Sequence, residues 1–364
     1  MPKPIINNRI ARKNPQLKAI QRNGKSIYKK GDHKVLKNYV GKLVKIDYNE
    51  LIGEEIKVLK PVDKASITKE MLLKKIEDAG LLGMSGNGFP VIEKLHTFMD
   101  SKTDKKILIV NAVECEPGLE QDEWLLHNRL PEICEGIHYI NHALQLNDSV
   151  LAVKQDVNCS DKSVKVVQIP ARFPMGEEHF MIHAVTGMVL EKEVIPAKQG
   201  ILVMNLQTVY QIFKLMNNNY ESKRFVTLAD LETGEGKIAY IHENDSVEKI
   251  IKSAFSKELQ IFAGSGILKV DPISDNTTFG KLISFAAFSK EQEISNDNKC
   301  KGCGQCTKRC PVGIPVHKVV RALEKDMNAD ISMYHPEKCI QCGSCAYFCK
   351  ASKLPGAYVN YKRS

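Results

Sequence analysis

Eight of the eleven cysteines in this 364-residue chain fall into two copies of one spacing. Cys300, Cys303, Cys306 and Cys310 make the first C-x2-C-x2-C-x3-C run, and Cys339, Cys342, Cys345 and Cys349 repeat it 39 residues later. The short spacings let three thiolates converge on one cluster from a single turn of chain, while the fourth reaches across to the other cluster. The pattern therefore predicts two [4Fe–4S] centres, one on Cys300, Cys303, Cys306 and Cys349, the other on Cys339, Cys342, Cys345 and Cys310. Pro311 follows Cys310 as the pattern expects, and Lys350 stands where a second proline would. Zinc sites want ligands as two separated pairs. Disulfides are not expected where no secretion signal precedes the chain. Clusters of this kind carry single electrons, so the C-terminal part reads as an electron relay.

Between the runs, Val316, Val319, Val320, Leu323 and Met327 recur at helical spacing and predict an amphipathic helix. Cys115, Cys134 and Cys159 share no spacing, and the last two read as ordinary core or surface thiols.

Charge is unevenly spread. The net +9 divides into +12 over residues 1–75, −11 over 76–298 and +8 over 299–364. The N-terminal lysines are scattered, without the clustering of a nucleic-acid reader, so no nucleic-acid partner is expected. No apolar run approaches a membrane span. The basic N-terminus lacks the apolar stretch of a signal peptide, which points to a cytoplasmic protein.

The centre alternates helix and strand, which predicts an α/β domain with a mostly parallel, layered sheet over about 67–220. Thr68–Ala79 reads as a helix, then Gly83, Gly86 and Gly88 form a loop that opens a second helix through Pro90. Such a loop is a ready anion site. The apolar run Lys106–Val113 reads as a strand leading into Glu114-Cys115-Glu116-Pro117, two carboxylates where open α/β sheets place ligand-binding groups. Leu119–Leu146 reads as mainly helix; Ser149–Lys154, Val164–Ile169 and Gly200–Met204 read as strands. Glu177 and Glu178 also suit a helix N-terminus, and Asn205 an N-cap.

The order of these pieces resembles a known family: a glycine loop with Lys94, then Asn111-x-x-Glu114-x-Glu116-Pro117, then Gly176-Glu177-Glu178, then Asn205-x-x-Thr208, then two ferredoxin motifs. It is similar, over about 67–355, to the C subunit of the Rnf electron-transport complex. Relatives include the cobalamin reductase of propanediol microcompartments and the electron-transfer protein associated with proline reductase. The flavin-carrying, NADH-binding subunit of respiratory complex I is more distant.

The resemblance implies FMN held by the glycine loop and the Asn/Glu segments, with NADH beside it. Gly83, Gly86, Gly88 and Lys94 would line the flavin and dinucleotide phosphates. Asn111, Glu114 and Glu116 would approach the flavin ring and ribityl chain. Gly176, Glu177 and Glu178 would face the dinucleotide, and Asn205 and Thr208 the FMN phosphate. It further implies a β-grasp module over 221–291, a mainly helical two-cluster domain over 292–364, and a reduced barrel-like segment over 1–66. Electrons would pass from NADH through FMN and both clusters to a redox partner, whether a reductase, a ferredoxin or a protein of a membrane complex. The chain would then be cytoplasmic or peripheral to that complex. Ser85 and Asn87 depart from the family's small loop residues and motivate an alternative, a relay protein without NADH oxidation of its own.

Overall fold

The computed structural model describes residues 45–85, 88–191, 193–257, 260–274, 276–290, 299–351, 353 and 355–360. Gly86, Asn87 and the scattered lysines before residue 45 lie outside the described residues.

Four strands form a fully parallel sheet: β2 (Ile107–Ala112), β3 (Asp148–Val153), β4 (Lys165–Gln168) and β5 (Ile201–Asn205), in the order β4-β3-β2-β5. Helices cover both faces, so the central strands are near-continuous apolar runs rather than alternating ones. The helices are α1 (Lys69–Asp78), α2 (Val91–Met99), α3 (Gln121–Asn128), α4 (Leu130–Leu144), α5 (Glu178–Thr186) and α6 (Leu206–Met216). Thr68 caps α1 by accepting from the Met71 N–H, and α1 buries Leu72 and Ile76. Val91, Leu95 and Phe98, spaced for one helical face, seat α2 in the same core.

The chain moves from β2 outward through β3 to β4, then returns to the other side of β2 with β5. That makes the β2/β5 junction a topological switch point, where the crevice outside the carboxyl ends of the strands is the usual ligand site. Asn111 and Asn205 are register partners across it.

A second sheet contains β1 (Lys45–Gly53), β6 (Lys223–Asp230), β7 (Glu235–His242), β8 (Gln260–Gly266), β9 (Lys269–Pro272) and β10 (Phe285–Ser289), in the order β1-β7-β6-β10-β8-β9. β6 and β7 form an antiparallel hairpin, and β10 returns parallel to β6 in the centre. Helix α7 (Val247–Ala254), capped by Ser246, packs Val247 and Ile251 on this β-grasp layer. β1, from the segment expected to stand apart at 1–66, lies parallel to β7 and extends this sheet.

From residue 299 onward the described residues contain helices and turns and no strand. Two one-turn helices, α8 (Gln305–Lys308) and α10 (Ser344–Tyr347), occupy equivalent places in the two cysteine runs. Each starts at a glycine with positive φ, Gly304 at 68° and Gly343 at 75°, a conformation that favours glycine. Helix α9 (Val316–Lys325) buries Val316, Val319, Val320 and Leu323 as the stripe predicts. It ends before Met327, which is 43% exposed instead of continuing the stripe. Helix α11 (Pro355–Asn360) closes the described chain. No helix among the described residues is long and apolar enough to cross a membrane.

Candidate functional site

The carboxyl ends of β2 and β5 gather most of the predicted site residues. Asn111 closes the end of β2, where its amide donates to the Gly176 carbonyl (2.9 Å) and its oxygen accepts from the Val113 N–H (3.0 Å). Gly176 has no room for a side chain, since a Cβ there would stand 2.5 Å from the Val113 carbonyl oxygen. Glu177 caps α5, accepting from the His179 and Phe180 N–H groups. The Lys94 amino group of α2 meets Glu178 Oε1 at 3.2 Å and donates to the Val203 carbonyl of β5 at 3.0 Å. Thr208, in the first turn of α6, accepts from the Met84 N–H (3.1 Å), which fastens the glycine loop over that helix start. Gly83 donates to the Phe89 carbonyl across the same loop (2.8 Å), and Gly88 takes a positive φ of 60°. Pro90, at the entry to α2, offers no side-chain cap.

The two carboxylates after β2 have different tasks. Glu114 caps α3, its oxygens accepting from the Asp122 (3.0 Å) and Glu123 (3.2 Å) N–H groups. Burial, then the neighbouring Asp122 charge, holds its carboxyl well above the usual range. Asp122 is itself pushed up to about 6 by burial, although Asn205 and Gln207 donate to it. Asn205 thus has both ends engaged, its amide on Asp122 (2.7 Å) and its oxygen capping α6 through the Gln207 N–H (2.9 Å).

Glu116 leans instead on the β8–β9 hairpin. A Cβ on Gly266 would come within 2.4 Å of its side chain. Its residue is partly exposed as a whole, but Oε1 is buried and has no partner. Burial pushes Glu116 up to about 7, against the pull of the Lys269 charge and the Leu268 N–H. Cys115 between them accepts from the Gly176 N–H (3.1 Å), and burial pushes its thiol up to about 12.

Sequence reasoning missed Lys154. It lies at the end of β3, 3.4 Å from Glu123 and 3.6 Å from Glu120. Burial pulls its amine down, but the charges of Glu114, Glu120 and Glu123 outweigh that and hold it above its ordinary value. A lone lysine after a strand gave no signal of three carboxylates supplied by a distant turn and helix.

The motif cysteines of the two runs influence one another electrostatically. Burial and the Cys349 thiol push Cys306 up to about 12, with Cys300 and Cys303 adding to it. Burial pushes Cys342 up to about 11, with Cys310 and Cys339 adding. Cys345 is raised by burial and then by Cys342, Cys339, Cys310 and Cys306. Among the described residues no three His, Cys, Asp or Glu side chains converge so as to hold a metal ion. Backbone N–H groups point at the sulfurs: Gly302 at Cys300, Gln341 at Cys339 and Lys353 at Cys349, each at 3.4 Å.

The Nuo51 FMN-binding domain family matches residues 76–214, and the 4Fe-4S dicluster domain family matches 292–350. Among curated proteins, the C subunit of the ion-translocating oxidoreductase complex of Haemophilus influenzae (strain 86-028NP) is 26% identical over 274 residues, covering 70% of this chain and 40% of that one. Its counterpart in Vibrio cholerae (strain ATCC 39541) is 28% identical over 269 residues, covering 69% and 34%. The chain is similar to these C subunits of the ion-translocating oxidoreductase complex. It spans only about a third to two fifths of the length of those relatives. A solved NAD+-reducing [NiFe]-hydrogenase, in its H2-reduced state, shares the fold at a TM-score of 0.54, with 15% identity, over 73% of this chain and 51% of that one.

Two matched domains, one of FMN-binding type and one of dicluster type, are the makeup of an electron-transfer flavo-iron–sulfur protein. The residues fit those groups. At the flavin end an amine, two amides and a hydroxyl gather at the switch point, beside a buried carboxylate oxygen without a partner. At the other end lie eight thiols, the soft donors that iron–sulfur clusters take.

Proposed function

We propose that the chain takes electrons from NADH and delivers them singly to a partner redox protein. The observation that carries this reading is the β2/β5 switch point, where Asn111 and Asn205 stand side by side with Lys94 and Thr208 drawn to the same end. A bound flavin supplies the conversion between an electron pair and single electrons. The chain's own part is to bind and orient. Gly83, Gly86 and Gly88 would line the phosphates, and Asn205 and Thr208 hold the α6 N-terminus, whose N–H groups favour an anion. Lys94 adds a positive charge at that end. Asn111, Glu114 and Glu116 border the ring and ribityl side, and Gly176, Glu177 and Glu178 the dinucleotide side. Cys300, Cys303, Cys306 and Cys349 hold one [4Fe–4S] cluster; Cys339, Cys342, Cys345 and Cys310 hold the other. The partner is a reductase, a ferredoxin or a protein of a membrane complex, with this chain on its cytoplasmic side.

The test is anaerobic reconstitution with FMN, iron and sulfide, followed by NADH. Bleaching of the flavin absorbance and saturable NADH binding by calorimetry are expected. Flavin and clusters that respond to dithionite but ignore NADH would replace this reading with a relay protein lacking NADH chemistry, the reading that Ser85 in the loop favours.

A further inference from the structure

A cleft of about 560 Å³ opens between the start of α4 and the chain that links β3 to β4. Neither the flavin-type site nor the cysteine runs account for it. Two thiols line it, Cys134 on α4 and Cys159 in the link. They are 25 residues apart in sequence, yet their sulfurs stand 3.6 Å apart. The surroundings set that approach. One turn beyond Cys134, the His138 ring meets Asp161 at 2.6 Å, and Asp161 is two residues beyond Cys159. The link is therefore clamped to the helix beside the thiol pair. Both thiols belong to the main core, Cys134 from helix α4 and Cys159 from the connection between β3 and β4.

A disulfide has sulfurs ~2.05 Å apart, so the pair must close by roughly 1.5 Å. Buried thiols without access are inert; here the cleft gives a small oxidant a route to both sulfurs. No three candidate ligands converge here or elsewhere among the described residues, so the pair is not part of a ready metal site.

We propose that Cys134 and Cys159 form a reversible dithiol–disulfide site, oxidised by a small disulfide of the glutathione type that enters this cleft. Cys159 is the more exposed of the two, at 8% against 4%, and attacks first. Its sulfur bonds to one sulfur of the small disulfide, whose S–S bond breaks and releases one small thiol. Cys134 then attacks Cys159 Sγ, forms the intramolecular bond and expels the second small thiol. Two electrons pass from the protein thiols to the small disulfide, and the two protons lost by the protein end on the released thiols. Burial and the adjacent Cys159 thiol hold Cys134 protonated at rest, in keeping with the resolving role. Intracellular disulfides of this sort are transient and redox-sensing rather than structural. The link that becomes tethered starts next to Lys154, so oxidation would constrain the chain that follows that lysine.

The experiment uses the full, cluster-loaded protein under anaerobic conditions, titrated with oxidised glutathione and mapped by mass spectrometry of unreduced peptides. Cluster absorbance reports whether the motif cysteines stay ligated. The expected product is a Cys134–Cys159 crosslink that dithiothreitol reverses, with cluster absorbance unchanged. Cys134→Ser should trap glutathione on Cys159, and Cys159→Ser should leave Cys134 unmodified. Absence of the crosslink at millimolar oxidised glutathione would overturn the proposal, and the unsubstituted protein alone gives that answer. Equal glutathionylation of both single variants would overturn the assignment of Cys159 as the attacking thiol.

Discussion

The carboxyl end of the four-stranded sheet and the cysteine-rich C-terminal segment are built on opposite principles. At the sheet end, the candidate polar side chains among the described residues already have protein partners, apart from one oxygen of Glu116. Those groups sit on a large continuous core that runs from Ile56 to Tyr240. In the C-terminal segment the core is a handful of residues on α9 and its neighbours, completed by cysteines, while α10 packs Ala346 and Tyr347 against the second sheet. Short helices and turns supply little regular hydrogen bonding there. The sheet domain would therefore fold before it binds, whereas the C-terminal segment needs its clusters to be stable, since metal binding and folding are one equilibrium where the apolar core is small.

The largest expected effect tests that contrast directly. Cys345→Ser should halve the iron content and expose the segment after residue 299 to protease. The sheet domain should keep its thermal transition and its FMN affinity. If the sheet domain unfolds along with it, the two regions are not the separate systems described above.

On the other side, Lys94→Ala should weaken FMN binding about 10- to 100-fold, the range for losing a charged hydrogen bond of ~1.5–3 kcal/mol. Fluorescence quenching of FMN measures it. Iron content should not change, because Lys94 contacts Glu178 and Val203 and no cysteine.

A third effect comes from Glu116, whose folded pKa of about 7 lies above its ordinary 4.5. The folded state therefore holds this proton more tightly than the unfolded one. Its stabilising contribution is complete below the ordinary value and is lost as pH rises through about 7. The sheet domain should lose about 2 kcal/mol between roughly pH 5.5 and 7.5. Glu116→Gln, which keeps the shape beside Gly266, should remove that slope. Denaturant midpoints across the range check it, and an unchanged slope in the variant would show the carboxyl to be solvated.

The smallest effect is electrostatic. The C-terminal segment carries +8 against −11 in the centre, so an acidic redox partner should be steered to the cluster end. Its electron-transfer rate should fall severalfold as salt rises from low to about 0.5 M. A salt-independent rate would place docking elsewhere.

The same division decides how much could be read from the chain. The cysteine runs are local, so their repeat is visible in the sequence, and it reappears as the paired one-turn helices after Gly304 and Gly343. Local capping was legible too, with Thr68 and Asn205 each starting the helix expected of it. What escaped depends on distant segments meeting. β1 gave no sign that it would pair with β7, nearly two hundred residues on. Nothing near Glu114 in sequence showed that it would cap α3, because only the chain turning back brings the α3 N-terminus over it. Cys134 and Cys159 have no common spacing, and only packing of the β3–β4 link on α4 brings their sulfurs together.

The central claim is that electrons enter at the sheet domain and leave through the C-terminal segment. It is tested most directly by an anaerobic titration of the reconstituted protein with NADH, following flavin absorbance and cluster paramagnetic resonance together. Loss of flavin absorbance accompanied by the signal of a reduced cluster is the predicted result. Flavin that bleaches while both clusters stay oxidised, in a sample whose clusters dithionite does reduce, would contradict it.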